Sequence, residues 1–272
     1  MAIRGGDIGL RAASALVLAP AAVLATWAGG LCFLALVLAG AVMLAMEWAA
    51  MSAPRDWKVV AGAVTVALFA ATLPVHLDQT AIGLVVLVFG AAAAGLYAKR
   101  RGNDGIDAAY GVLYLGWPIL LLVWLRDDGS PDGLIWTVLV FAVAWSSDVM
   151  AYLVGSLVGG PKLWPRFSPA KTWSGFIAGL LAGTAAGAGI AAWLDMGALT
   201  VVWGGVLGLA AALATMAGDL WESALKRRFG VKDTGNIIPG HGGLLDRVDG
   251  LMFAVVVVAG ARVLANLVER GG

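Results

Sequence analysis

Cysteine is almost absent from this 272-residue chain, where Cys32 is the only one. A single thiol excludes an intrachain disulfide and any multi-thiolate metal site. Cys32 lies within an apolar run, as a small lipid- or core-facing residue. Histidine is nearly as scarce, with only His76 and His241, which excludes a histidine-rich metal cluster. Charge is the third shortage. Asp, Glu, Lys and Arg make up 13% of the chain, against roughly 25% in soluble domains. No hydrophilic stretch is long enough for a separate soluble domain. The net charge of +1 says little, and no nucleic-acid partner is expected.

Hydrophobic residues fill the gap, at 61%, with a mean hydropathy of +0.89. They come in runs long enough to cross a ~30 Å hydrocarbon core, which takes about 20 helical residues. An all-α, polytopic integral membrane protein follows, with about nine spans near 10–27, 30–50, 59–75, 81–98, 109–125, 133–157, 173–194, 199–222 and 250–268. Arg4 and Arg11 before the first run mimic the start of a signal peptide. That run passes directly into the second without a small-residue cleavage site, so a retained first helix is expected.

Fifteen of the eighteen Lys and Arg, from Arg4 to Arg247, fall at the N-terminus or in even-numbered loops. Only Arg126, Arg262 and Arg270 fall elsewhere. The positive-inside rule then puts the N-terminus and even loops in the cytoplasm and the C-terminus outside. Glycines spaced by four, such as Gly183 and Gly187 or Gly204 and Gly208, predict close helix packing. Such faces allow a homodimer and equally serve packing within one chain.

Ionisable groups inside spans cost about 2.5–3.5 kcal/mol each on insertion scales and tend to face polar cavities. Glu47 lies near one end of the second span, where snorkelling or a cap-like contact is expected. Asp148 lies well inside the sixth, in "WSSDVMAY", and needs a partner. Asp219 and Glu222 close the eighth, and Asp246 and Asp249 open the ninth. Asp219, Ser223 and Lys226 share one helical face. Carboxylates on two helices, without nearby thiols, are hard oxygen donors that suit Mg²⁺ shared with substrate phosphates.

Between those two spans runs "KRRFGVKDTGNIIPGHGGLLDRVDG", 226–250. Simple salt bridging would neutralise its acids but leaves its glycines unexplained. "PGHGG" precedes a helix start, whose N–H groups and dipole favour anions. Lys226, Arg227, Lys232 and Arg247 add positive charge. The combination describes a metal–polyphosphate site at a membrane surface. His241 remains open between a phosphate contact, a base and a plain loop residue. A second basic patch, "GGPKLWPRFSPAKTWSG", 159–175, carries Lys162, Arg166 and Lys171 between Trp164 and Trp173. It serves either as an aromatic-anchored loop or as a phosphate site, with Ser168 or Thr172 capping the following helix and Lys171 holding an anion.

The string Ser223, Lys226, Arg227, Lys232, Asp233, Pro239, His241, Gly242, Gly243, Asp246, Arg247, Asp249 resembles the signature of the phosphatidate cytidylyltransferases (CDP-diacylglycerol synthases). "DVMAYLVGSLVGGPK" and "SPAKTWSG" are similar to two further blocks of that family. The likeness covers about 109–268, which sets a C-terminal catalytic region, 109–272, against four N-terminal spans in 1–108. The resemblance implies that CTP and phosphatidic acid give CDP-diacylglycerol and pyrophosphate with Mg²⁺, in phospholipid biosynthesis at the inner membrane, with the site facing the cytoplasm. Whether a second cation joins is left open. It also implies Asp219, Asp246 and Asp249 as metal ligands, and Lys226, Arg227, Lys232 and Arg247 as phosphate contacts. Ser168, Lys171, Thr172, Ser223, Asp233, His241, Gly242 and Gly243 complete the expected substrate site with Asp148. Ala170, Ser174 and Gly250 depart from the family pattern. A CTP-dependent lipid kinase and a transporter or flippase are the rivals. The full "PGHGGLLDRVD" block argues against the first. Charges gathered at one surface, without an internal repeat, argue against the second.

Overall fold

A computed structural model describes residues 16, 20–127, 132–165, 168–193, 200–237 and 242–271. Long helices dominate: α1 (Gly30–Ser52), α2 (Trp57–His76), α3 (Thr80–Arg100), α4 (Gly105–Arg126), α5 (Gly133–Val158), α6 (Trp173–Trp193), α7 (Val201–Arg228) and α8 (Leu245–Gly271). All eight are long and apolar enough to cross a membrane, so the polytopic all-α expectation holds for eight of the nine spans. Of the first expected span, 10–27, residues 20–28 are helical and the rest lies largely outside the described residues.

Helix ends follow local chemistry. Asp104 caps α4, its Oδ1 accepting from the N–H groups of Ile106 at 2.8 Å and Asp107 at 3.1 Å. Lys226, Arg227 and Arg228 occupy the last turn of α7, where the helix dipole favours cations. Gly159, at φ +65°, and Gly160, at φ +106°, end α5 in backbone conformations that side chains resist.

The chain forms two compact units. One comprises 1–129 with 229–247, and its helices α1–α4 pack on one another. Its centre is Trp48, fully buried, whose indole N–H donates to the Asp107 carbonyl at 3.0 Å. Tyr110, Tyr114 and Phe229 surround that ring, each with its centroid 5.6 Å away.

The other unit comprises 130–228 with 248–272. Here α6 packs against α5 and α7 through the glycines spaced by four. A Cβ on Gly187 would lie 2.7 Å from the Gly208 Cα, and one on Gly155 would lie 3.4 Å from the Gly175 Cα. Apolar helices in lipid gain little by hiding from water, so backbone approach and dispersion must hold them. These glycine faces are engaged within one chain and no longer argue for a dimer. Arg262, the cation inside the last span, is buried over the Trp136 ring, 5.4 Å from its centroid, with Asp132 at 4.0 Å.

The segment between α5 and α6 differs from the plain loop the sequence implies. It forms an antiparallel hairpin of β1 (Lys162–Trp164) and β2 (Ser168–Thr172), pairing Lys162 with Thr172 and Trp164 with Ser168. Pro165 and Pro169 lack backbone donors and favour extended backbone at Trp164 and Ser168 before them.

Gly187→Val is expected to lower the melting temperature in detergent by several degrees, since overpacking a tight contact costs about 1–3 kcal/mol. Gly189→Val, where an added Cβ meets nothing within 4 Å, should leave it unchanged. Equal melting of the two variants would contradict the glycine interface.

Candidate active site

In the second unit, four elements converge on one charged cluster. Asp148 comes from α5, Lys171 from β2, Asp219, Glu222 and Lys226 from α7, and Asp249 from α8. The Lys171 ammonium pairs directly with the Asp219 carboxylate. Lys226 donates to Glu222 Oε2 at 3.3 Å, one turn away on α7. Asp249 is buried, hydrogen-bonds with the Glu222 side chain, and accepts from the Gly250 N–H at 2.8 Å. Asp148 lies within electrostatic reach of Asp219, Asp249 and Lys171. Tyr152, one turn on, is 75% exposed.

Glycines permit this convergence. A Cβ on Gly218 would lie 2.9 Å from Phe253 Cδ2 and 3.1 Å from the Gly250 Cα, and one on Gly250 would lie 2.6 Å from Thr215 Cγ2. Only bare backbone lets α7 and α8 approach enough to bring Asp219 and Asp249 together. Gly250, a departure from the expected pattern, therefore has a steric role. So does the hydroxyl of Ser174, which bonds to the Gly159 carbonyl and shares a hydrogen bond with Thr172. Thr172 Oγ1 accepts from the Gly175 N–H at 3.2 Å and is the cap of α6. Ser168 is not, because it stands at the far end of β2 opposite Trp164. These contacts pin the β2–α6 junction that carries Lys171.

Four carboxyls, Asp148, Asp219, Glu222 and Asp249, gather with the Lys171 and Lys226 ammonium groups, and the hydrogen bond between Glu222 and Asp249 requires one proton between those two. The donors are all hard oxygens. Among the described residues no three or more His, Cys, Asp or Glu form a metal cage of their own. A set of hard oxygen donors not closed into a cage fits Mg²⁺, which takes one or two carboxylates and completes its shell with water and substrate phosphate.

The first unit holds a second acidic group. Asp246, in the first turn of α8, accepts from Thr234 through its N–H at 3.1 Å and its hydroxyl at 2.9 Å. Glu47, on α1, is 1% exposed. It accepts from the N–H groups of Leu244 and Leu245, both at 2.7 Å. Those N–H groups at the start of α8 were expected to hold a phosphate. The anion they bind is Glu47, because a buried carboxylate satisfies both donors and the helix dipole at once.

Lys232, Asp233 and Arg247 are exposed, Arg227 is exposed on α7, and Ser223 is half-buried there. Gly242 adopts φ +85°, and Gly243 is buried, its missing Cβ leaving room for Asp246 Oδ2 at 2.9 Å. Pro239 and His241, like Arg166, lie outside the described residues. Sequence reasoning passed over Glu47 and Glu222 as site residues. The only signal for Glu222 was its position four before Lys226. Glu47 gave none beyond being a charge inside a span.

A family model described as the cytidylyltransferase family matches residues 9–264. The phosphatidate cytidylyltransferase of Brucella abortus biovar 1 (strain 9-941) is 38% identical over 259 residues, covering 91% of this chain and 90% of that protein. The phosphatidate cytidylyltransferase of Staphylococcus aureus (strain COL) is 36% identical over 172 residues, covering 63% of this chain and 65% of that protein.

Lys171→Met tests the cluster. A part-exposed ion pair is worth at most about 1 kcal/mol, so melting should shift by no more than a few degrees. Turnover should fall at least about tenfold, the effect expected of losing a cation that stabilises an anionic transition state. Unchanged turnover with a large loss of stability would make Lys171 a structural partner only.

Proposed function

The chain belongs to the cytidylyltransferase family, and from that membership we infer that it converts CTP and phosphatidate into CDP-diacylglycerol and pyrophosphate. The observation that carries the site assignment is the Asp148, Lys171, Asp219, Glu222, Lys226, Asp249 cluster, which gathers hard oxygen donors and ammonium groups in one place. It stands where spans end, as a lipid phosphate and a water-soluble nucleotide both require.

A phosphate-monoester oxygen of phosphatidate attacks the α-phosphorus of CTP. A new P–O bond forms, the α–β bridging bond breaks, and pyrophosphate leaves with the bridging oxygen. No strong base is needed, because a phosphate monoester with a second pKa of about 6 is already ionised at neutral pH. Catalysis is therefore positioning and charge neutralisation. Lys171, Lys226 and Arg227, and by the family resemblance Lys232 and Arg247, draw in and orient the phosphates. Asp219 and Asp249 are the donors we assign to Mg²⁺, and the family resemblance gives Asp246 the same role. When bound, that ion supplies charge neutralisation at the phosphate oxygens. Asp148 enlarges the negative field that favours cations there.

The excess of Lys and Arg in even loops supports a cytoplasmic site and N-terminus in the inner membrane, with the C-terminus outside. Phosphatidate keeps its acyl chains in the bilayer while its head group enters.

The test uses purified protein in detergent with phosphatidate, Mg²⁺ and CTP labelled at the α-phosphorus. The expected result is label in extracted CDP-diacylglycerol. Transfer from γ-labelled CTP instead would establish a lipid kinase and overturn the assignment. Asp219→Asn and Asp246→Asn should each cut turnover at least about a hundredfold without preventing insertion or folding. Near-normal activity of both variants at ordinary Mg²⁺ would remove those carboxylates from the site.

A further inference from the structure

We propose that Glu47 is a positioning residue for this reaction, holding Asp246 and the start of α8 in register from a helix remote in sequence. The proposal rests on the functional assignment above, in which Asp246 belongs to the catalytic machinery.

Glu47 occupies α1, nearly two hundred residues before its partners. At 1% exposure it is closed to substrate, so it does not touch the reacting groups. Its two oxygens are instead committed to the chain. Oε1 accepts from the Leu244 N–H and Oε2 from the Leu245 N–H, both at 2.7 Å. Two short bonds to an ionised acceptor, at the positive end of a helix dipole, are the strong kind. The Thr234 hydroxyl lies 3.4 Å from Glu47 Oε2 and 2.9 Å from Asp246 Oδ2. One side chain thus joins the buried carboxylate to the catalytic one.

The backbone around these groups is shaped to fit. A Cβ on Gly235 would lie 3.3 Å from Glu47 Oε1, and one on Gly243 would run into the Thr234 hydroxyl. A side chain at position 243 would displace the Thr234 hydroxyl, and one at 235 would press on Glu47. A carboxylate is costly inside a span, and here two backbone donors fix one end of α8 in return. Because Asp246 is the second residue of α8, freedom at Leu244 and Leu245 becomes freedom of Asp246. Misplacing a catalytic group by even about 1 Å can cost a hundredfold in rate.

Glu47→Gln separates positioning from mere support. An amide offers one acceptor where two N–H donors wait, and its NH₂ opposes the second. The full-length variant in detergent should melt within a few degrees of the parent. Without substrate or metal, its Leu244 and Leu245 amides should exchange hydrogen at least tenfold faster. Its kcat should fall at least tenfold, with KM for CTP changed less than threefold. Thr234→Val should likewise lower kcat, while Thr234→Ser, which keeps the hydroxyl, should restore it. The double variant Glu47→Gln, Thr234→Val should be little slower than the worse single, since both act through Asp246. Faster exchange with parental kcat would overturn the proposal, as would a KM effect alone. Should Glu47→Gln fail to fold, the Thr234 pair decides by the same criteria. A parent protein inactive in cytidylyl transfer would overturn the functional assignment instead, while the amide exchange still reports whether Glu47 holds α8.

Discussion

The ion pair between Lys171 and Asp219 expresses the constraint that organises the second unit: carboxylates inside a membrane protein must be given positive partners. Asp148, Asp219, Glu222 and Asp249 stand on three helices, with the Lys171 and Lys226 ammonium groups among them. Each acid leans on another group, Glu222 on Lys226 and Asp249 on Glu222 and its own helix backbone.

Meeting that constraint requires close helices, and lipid supplies no hydrophobic force to bring them together. Glycine does the work by removing side chains where backbones meet. Gly183, Gly187, Gly204 and Gly208 join α6 to α7, and Gly218 and Gly250 join α7 to α8. The first set builds the scaffold and the second sets the separation of Asp219 and Asp249. The hairpin adds Lys171 from a segment that proline keeps out of helix, and Thr172 and Ser174 lock its junction with α6.

The first unit handles buried charge differently. Glu47 has no cationic partner in its hydrogen-bond set. Backbone N–H groups and one hydroxyl accept the burden. A carboxylate so held cannot serve as an acid, base or ligand without breaking two short bonds. Its influence passes through the backbone it fixes, which suits a residue that orders a glycine-rich loop rather than one that meets substrate.

Much of this was legible before any coordinates. Runs of about 20 apolar residues dictate membrane helices, because backbone polar groups in lipid must pair locally. The spacing of Asp219 and Lys226 on one helix, and of Asp246 and Asp249 on another, follows from 3.6 residues per turn. The dense "PGHGGLLDRVD" block carried the family resemblance, and the family match bears that out. Tertiary structure alone decided which anion meets the start of α8, which hydroxyl caps α6, and which acid joins Asp249. It also turned the 159–175 patch into a hairpin. Those outcomes depend on partners as much as 198 residues apart, and no local periodicity encodes them. Chain-local physics determined the spans and the motif, while the pairing of buried charges had to await the packing that brings distant backbone and side chains into hydrogen-bond range.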